Sequence, residues 1–125
     1  MNPLLRVAFV VVATVSAAAA FGHHASNLDY DQDKVGTIGG VVNDIFWANP
    51  HIHLYLTVTN EDGTTETWDM EGPNLASLRR RNVTRDRVQI GDEIEITGTL
   101  GRDGTKRIWA RSIVKADGTV VMGAQ

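Results

Sequence analysis

The sequence predicts a mainly β protein, a small barrel of five strands with one short helix between the third and fourth. Three observations predict it. Apolar and polar residues alternate with period two over residues 51–59, 64–70 and 93–100, as they do on half-buried strands. Gly-containing turns at 60–63, 102–105 and 116–119 separate or follow the strand-like stretches. One segment alone, 75–81, changes to helical spacing.

The elements follow in order. Arg6 is the only charge before Asp29, and the apolar run 7–15 leads into Ser16-Ala17-Ala18-Ala19-Ala20. A charged start, a short apolar core and small residues at the end describe a secretory signal over 1–20. The run is shorter than the roughly 20 residues that span a bilayer. The expectation is therefore a removable leader, no transmembrane anchor after processing, and a periplasmic or secreted chain. Residues 21–34, with Asp29, Asp31 and Asp33, read as an extended N-terminal arm, and 35–125 as the barrel domain.

Residues 35–47 are β-branched and aromatic, interrupted by Gly36, Gly39 and Gly40. Glycines inside a strand indicate a bend or bulge. Pro50 then turns the chain, since it cannot donate to a ladder. Ile52, Leu54, Leu56 and Val58 share one face of the next strand, and His51, His53, Tyr55 and Thr57 the other. After the turn ending at Gly63, Trp68 and Met70 share a face of the third strand. Leu75 and Leu78, spaced i, i+3, form the apolar edge of a short helix that ends in Arg79-Arg80-Arg81, where cations complement the helix dipole. Asn82 fits a left-handed stop, with Val83 as its apolar partner. Ile94 and Ile96 face inward on the fourth strand, residues 108–114 make the fifth, and Val120 and Val121 lie in a tail. This order resembles an OB-fold, a five-stranded, partly open barrel. An SH3-like barrel is the alternative, but it usually lacks a helix at that place.

Composition limits the function. The 125-residue chain has 12 Lys+Arg against 15 Asp+Glu, a net charge of −3, and no cysteine. The length suits one domain. An acidic chain does not suit nucleic acid, whose phosphates attract clustered cations. The lack of cysteine excludes disulfides, a thiolate nucleophile and Cys-ligated metals. No Walker loop, H-E-x-x-H, G-x-S-x-G or dinucleotide fingerprint occurs, so no catalytic residue is assigned.

Histidine carries the remaining chemistry. His51 and His53, at i, i+2, leave the same strand face, opposite the apolar one. Imidazole suits copper, zinc and nickel. His23 and His24 lie in the arm. A cut after Ala20 leaves Phe21-Gly22-His23, whose amine, amides and imidazole suit square-planar Cu(II) or Ni(II). A cut after Gly22 makes His23 itself the chelating terminus. The candidate metal ligands are thus His23, His24, His51 and His53, with copper preferred among His-liganded transition metals. Asn49, Tyr55, Glu71 and Met70 are candidate supporting residues. Asp69, like Glu71, could orient an imidazole N–H. Met122 is a second soft thioether. Trp47, Trp68 and Trp109 are read as packing residues. Arg79, Arg80 and Arg81 are candidate contacts for an anion or a partner.

Two functions of different class follow. The first is non-catalytic metal binding for storage, delivery or sensing. The second is a metal-free module that binds a protein or envelope partner through the barrel face and the Arg-rich helix. A copper oxidase built on an N-terminal His23 is a third, and it requires the cut after Gly22.

The early His23-His24 pair, Gly40-Val41-Val42, Trp47-x-Asn49-Pro50-His51, Trp68-x-x-Glu71-Gly72, the Arg run and Gly91-Asp92 together resemble one family. It is the domain of unknown function 6152 family of small exported bacterial proteins, and the resemblance covers nearly all of the mature chain. Two departures stand out. Ala25 separates His24 from Ser26 where members carry His-His-Ser, and Asn82 stands where a glycine is expected. The resemblance implies export and a barrel. It implies no activity.

Overall fold

The computed structural model describes residues 28–124. The secretory signal expected over 1–20 and the His23-His24 pair lie outside the described residues. Six strands follow in chain order: β1 (Tyr30–Phe46), β2 (His53–Thr59), β3 (Thr65–Glu71), β4 (Glu93–Gly101), β5 (Arg107–Lys115) and β6 (Val120–Met122). A short helix, α1 (Leu75–Arg80), lies between β3 and β4.

The sheet runs β3-β2-β1-β4-β5-β6, and β3 also pairs with β5. That last pairing is parallel, over Asp69↔Arg107, Met70↔Ile108 and Glu71↔Trp109, whereas the other ladders are antiparallel. It joins the two sides of the sheet into a partly closed five-strand ring, the OB-like arrangement that the element order predicts. β6 is an addition. The residues read as a tail pair with β5, and Val121 and Met122 are buried in the core.

The core follows from the alternation. Ile52, Leu54 and Leu56 face inward opposite Met70, Ile96 and Ile108, all nearly without solvent exposure. α1 adds Leu78. The Asn74 side chain accepts the Ser77 backbone N–H and caps the helix start. At the other end Asn82 has φ 56°. The Val83 N–H reaches back to the Leu78 carbonyl at 2.9 Å, and Val83 is buried. This is the left-handed stop that the sequence predicts.

Two expectations change. β1 begins at Tyr30, so the end of the polar arm (residues 30–34) is already strand. The glycines of β1 do not form a bulge: pairing with β4 is regular from Val35 to Val41, and the irregularity against β2 falls between Val42 and Asp44. At Gly40 the cause is close approach. A Cβ there would stand 2.7 Å from the Thr57 carbonyl oxygen, so the β2 backbone occupies the space of a side chain.

Candidate functional site

The outward residues of β2, β3 and β5 meet across the parallel closure of the ring. His51 precedes β2 and His53 opens it. Asp69 and Glu71 are on β3, Arg107 and Trp109 on β5. Each set is spaced i, i+2, so period two sends both members to one surface.

The two histidines are each tied to a carboxylate by the same ring nitrogen. His51 Nδ1 lies 2.6 Å from Glu71 Oε1, and His53 Nδ1 lies 2.7 Å from Asp69 Oδ1. A carboxylate only accepts, so His53 donates its Nδ1–H to Asp69, and in the neutral ring this leaves Nε2 with its lone pair; His51 Nδ1 stands against Glu71 at ion-pair distance. Metal-binding histidines commonly carry this outer carboxylate, which fixes the tautomer and raises the ligand's basicity. The side chain of His51 is 37% exposed and that of His53 21%.

Behind the histidines lies a charged network. Glu71 Oε2 accepts both the Tyr30 hydroxyl at 2.6 Å and Arg107 Nη2 at 3.1 Å. Arg107 also faces Asp69 and Asp29 at 3.6 Å each. Its guanidinium stands over the Tyr30 ring, 5.4 Å from the centroid, which adds a cation–π contact. Burial disfavours the Arg107 charge. Tyr30, Asp69, Glu71 and Asp29 outweigh it and hold the group above the ordinary arginine value. Burial, then the hydrogen bond to Glu71, pushes the Tyr30 phenol well above the ordinary tyrosine range.

Aromatic rings wall the site. His51 meets Trp109 edge-on, with centroids 5.0 Å apart, and Tyr30 meets the same indole at 6.0 Å. The Tyr55 ring lies nearly parallel to His53, with centroids 6.1 Å apart.

The predicted residues separate into five groups. His51, His53, Glu71 and Tyr55 come together. Asn49 stands at the adjacent corner, where its Oδ1 accepts the Leu75 N–H at 3.0 Å and ties the turn before His51 to the start of α1. Met70 faces the other way and is fully buried in the core, as is Met122. Arg79, Arg80 and Arg81 lie at the end of α1. Trp47 and Trp68 pack on the core, and Trp68 Nε1 donates to Glu66. Tyr30, Arg107, Asp29 and the contact with Trp109 are additions from the structure. The i, i+2 pair Arg107-x-Trp109 was the sequence signal for those two, and Tyr30 and Asp29 had none.

Two Nε2 atoms fit a borderline transition-metal ion by donor type. Among the described residues no group of three or more His, Cys, Asp or Glu is arranged to hold a metal. His51 and His53 by themselves do not make up such a group. No helix among the described residues is long and apolar enough to cross a membrane.

The profile of a family of unknown function, DUF6152, matches residues 10–110. No curated protein is similar to the chain in sequence. Among solved structures, a small single-stranded DNA-binding protein from Streptomyces coelicolor is similar at 16% identity and a TM-score of 0.42, over 66% of this chain and 90% of that one.

Proposed function

The chain belongs to the DUF6152 family, and we propose that it is an exported protein that binds a transition-metal ion, copper by preference, without catalysing a reaction. The observation that carries this reading is the pair of carboxylate-held imidazoles. Glu71 and Asp69 each lie against an Nδ1, an arrangement in which neutral rings present their Nε2 atoms as donors on one outward surface.

The remaining ligands in this reading are His23 and His24. They precede Asp29 by six and five residues. Asp29 lies 3.6 Å from Arg107, and a fully extended stretch of that length spans roughly 20 Å. The arm therefore has the reach to bring its histidines to His51 and His53. Four imidazoles suit Cu(II) or Zn(II), and the terminal amine suits copper further.

Calorimetric titration of the exported protein with Cu(II) and Zn(II) tests the reading. Binding at micromolar affinity or tighter, lost in the His51→Ala/His53→Ala double variant, supports it. No binding tighter than micromolar ends it. Intact-mass measurement of the same material gives the processed terminus and distinguishes a cut after Ala20 from one after Gly22.

A second reading, the metal-free interaction module, rests on Arg79 and Arg80, which are exposed and make no ion pair among the described residues. It predicts that the double-histidine variant keeps its stability and its partner.

A further inference from the structure

β5 presents Arg107, Trp109 and Arg111 in one outward row. Arg107 is enclosed by Asp29, Asp69 and Glu71. Arg111, four residues on, has a different setting. It lines a groove of about 390 Å³ between α1 and β5, together with Pro73, Ser77, Arg81, Trp109 and Ala110.

Neither arginine of this groove pairs with a carboxylate among the described residues. Arg111 Nη2 donates to the Thr99 hydroxyl at 2.9 Å, and Arg81 Nη2 to the Gly123 carbonyl. Both acceptors are neutral, and a guanidinium has five donors. The lining contains no acidic side chain, although the chain as a whole has more Asp and Glu than Lys and Arg. The end of α1 does not oppose an anion with bare carbonyls: the N–H groups of Arg81, Asn82 and Val83 already occupy those of Ser77, Leu78 and Arg79. Ser77 adds a hydroxyl, and Trp109 adds an apolar wall.

We propose that this groove is a binding site for a small oxyanion with two or more anionic oxygens, held between Arg81 and Arg111. Two guanidiniums from separate elements recognise such oxygens bidentately. At about 30 Å³ per water, the volume suits a molecule of about a dozen heavy atoms, of the size of a small organic polycarboxylate. Trp109 is shared with His51, so the groove adjoins the histidine surface. The proposal does not depend on metal binding.

The test is calorimetric titration of the metal-free protein with citrate and, separately, with inorganic phosphate. Saturable binding of either anion at about 1 mM or tighter is expected. Loss of a charge-assisted contact weakens it by roughly tenfold or more in Arg81→Gln and in Arg111→Gln, while Arg80→Gln, outside the groove, binds as the parent does. Circular dichroism establishes that each variant is folded, and either groove variant suffices. Tighter binding of citrate identifies an organic carboxylate as the ligand class, and tighter binding of phosphate identifies a phosphate. Failure of both anions to bind at 1 mM, or equal weakening by Arg80→Gln, overturns the proposal.

Discussion

Tyr30 and Glu71, 41 residues apart in sequence, meet at 2.6 Å, and the carboxylate that accepts the Tyr30 hydroxyl holds His51 with its other oxygen. The start of β1 is thereby fastened to the end of β3. Tyr30→Phe removes the donor and leaves the ring in place. A hydrogen bond to a charged group contributes about 1.5–3 kcal/mol net. A loss of that size is expected in urea unfolding, and an unchanged midpoint would count against the contact.

The phenol supplies a pH prediction. Its folded pKa is raised, first by burial and then by Glu71. The sign follows: its contribution to stability is full below the unfolded value of about 10 and is lost as pH rises toward the folded value. Near pH 10 an exposed tyrosine is half ionised. The phenolate absorbance of the parent minus that of Tyr30→Phe is expected to stay near zero there. A difference of half a tyrosine contradicts the buried hydrogen bond.

Met70 separates core from ligand. It is fully buried opposite Leu54, on the strand face turned away from the histidines. Met70→Leu nearly conserves volume and is expected to cost less than about 1.5 kcal/mol. Copper affinity is expected to be the same in both chains. A tenfold fall in affinity with stability retained would return the thioether to the list of ligands.

Asp92 governs part of the acid limb. It accepts the Gln89 N–H at 2.8 Å and lies 2.9 Å from Lys115 Nζ. The hydrogen bond from Gln89, then that from Lys115, holds its carboxyl below the ordinary range. A depressed folded pKa stabilises above the unfolded value of about 4 and loses that effect as pH falls through the folded one. The parent is therefore expected to exceed Asp92→Asn by a constant margin of about 1 kcal/mol from pH 5 to 7. The margin closes below about pH 4. Urea midpoints across that range measure it, and a gap that persists to pH 2 refutes the assignment.

Gly98 marks a place where the backbone of β5 comes close against β4. A Cβ on it would overlap the Trp109 carbonyl oxygen, which is backbone and cannot turn aside. Gly98→Ala is expected to destabilise by about 2 kcal/mol or more, a fall of roughly 10 °C in Tm for a domain of this size. A fall under about 3 °C would show that the strands can part freely.

The strand faces and the helix stop were legible because their signals are local. Alternation from His51 onward separates Ile52, Leu54 and Leu56 from His51 and His53, as in the structure. Asn82 and Val83 close α1 through backbone contacts within five residues. β6 was hidden because Val120–Met122 is too short to show a period, and only its pairing with β5 makes it a strand. The neighbour of Arg81 was not legible either: it lines a groove with Arg111, 30 positions away on β5.

Sequence by itself determined which residues face outward, since period two needs no knowledge of neighbours. It also supplied the family and the exclusion of cysteine chemistry. Only the tertiary structure decided what those residues meet. His53 lies directly across from Glu71 in the β2–β3 register, yet its ring turns to Asp69, and Glu71 serves His51 instead. The same two carboxylates also meet Arg107, and Glu71 meets Tyr30; these arrive by the parallel β3–β5 closure and the start of β1. Such contacts are set by strand register between distant segments, and one residue of slip would reverse every face.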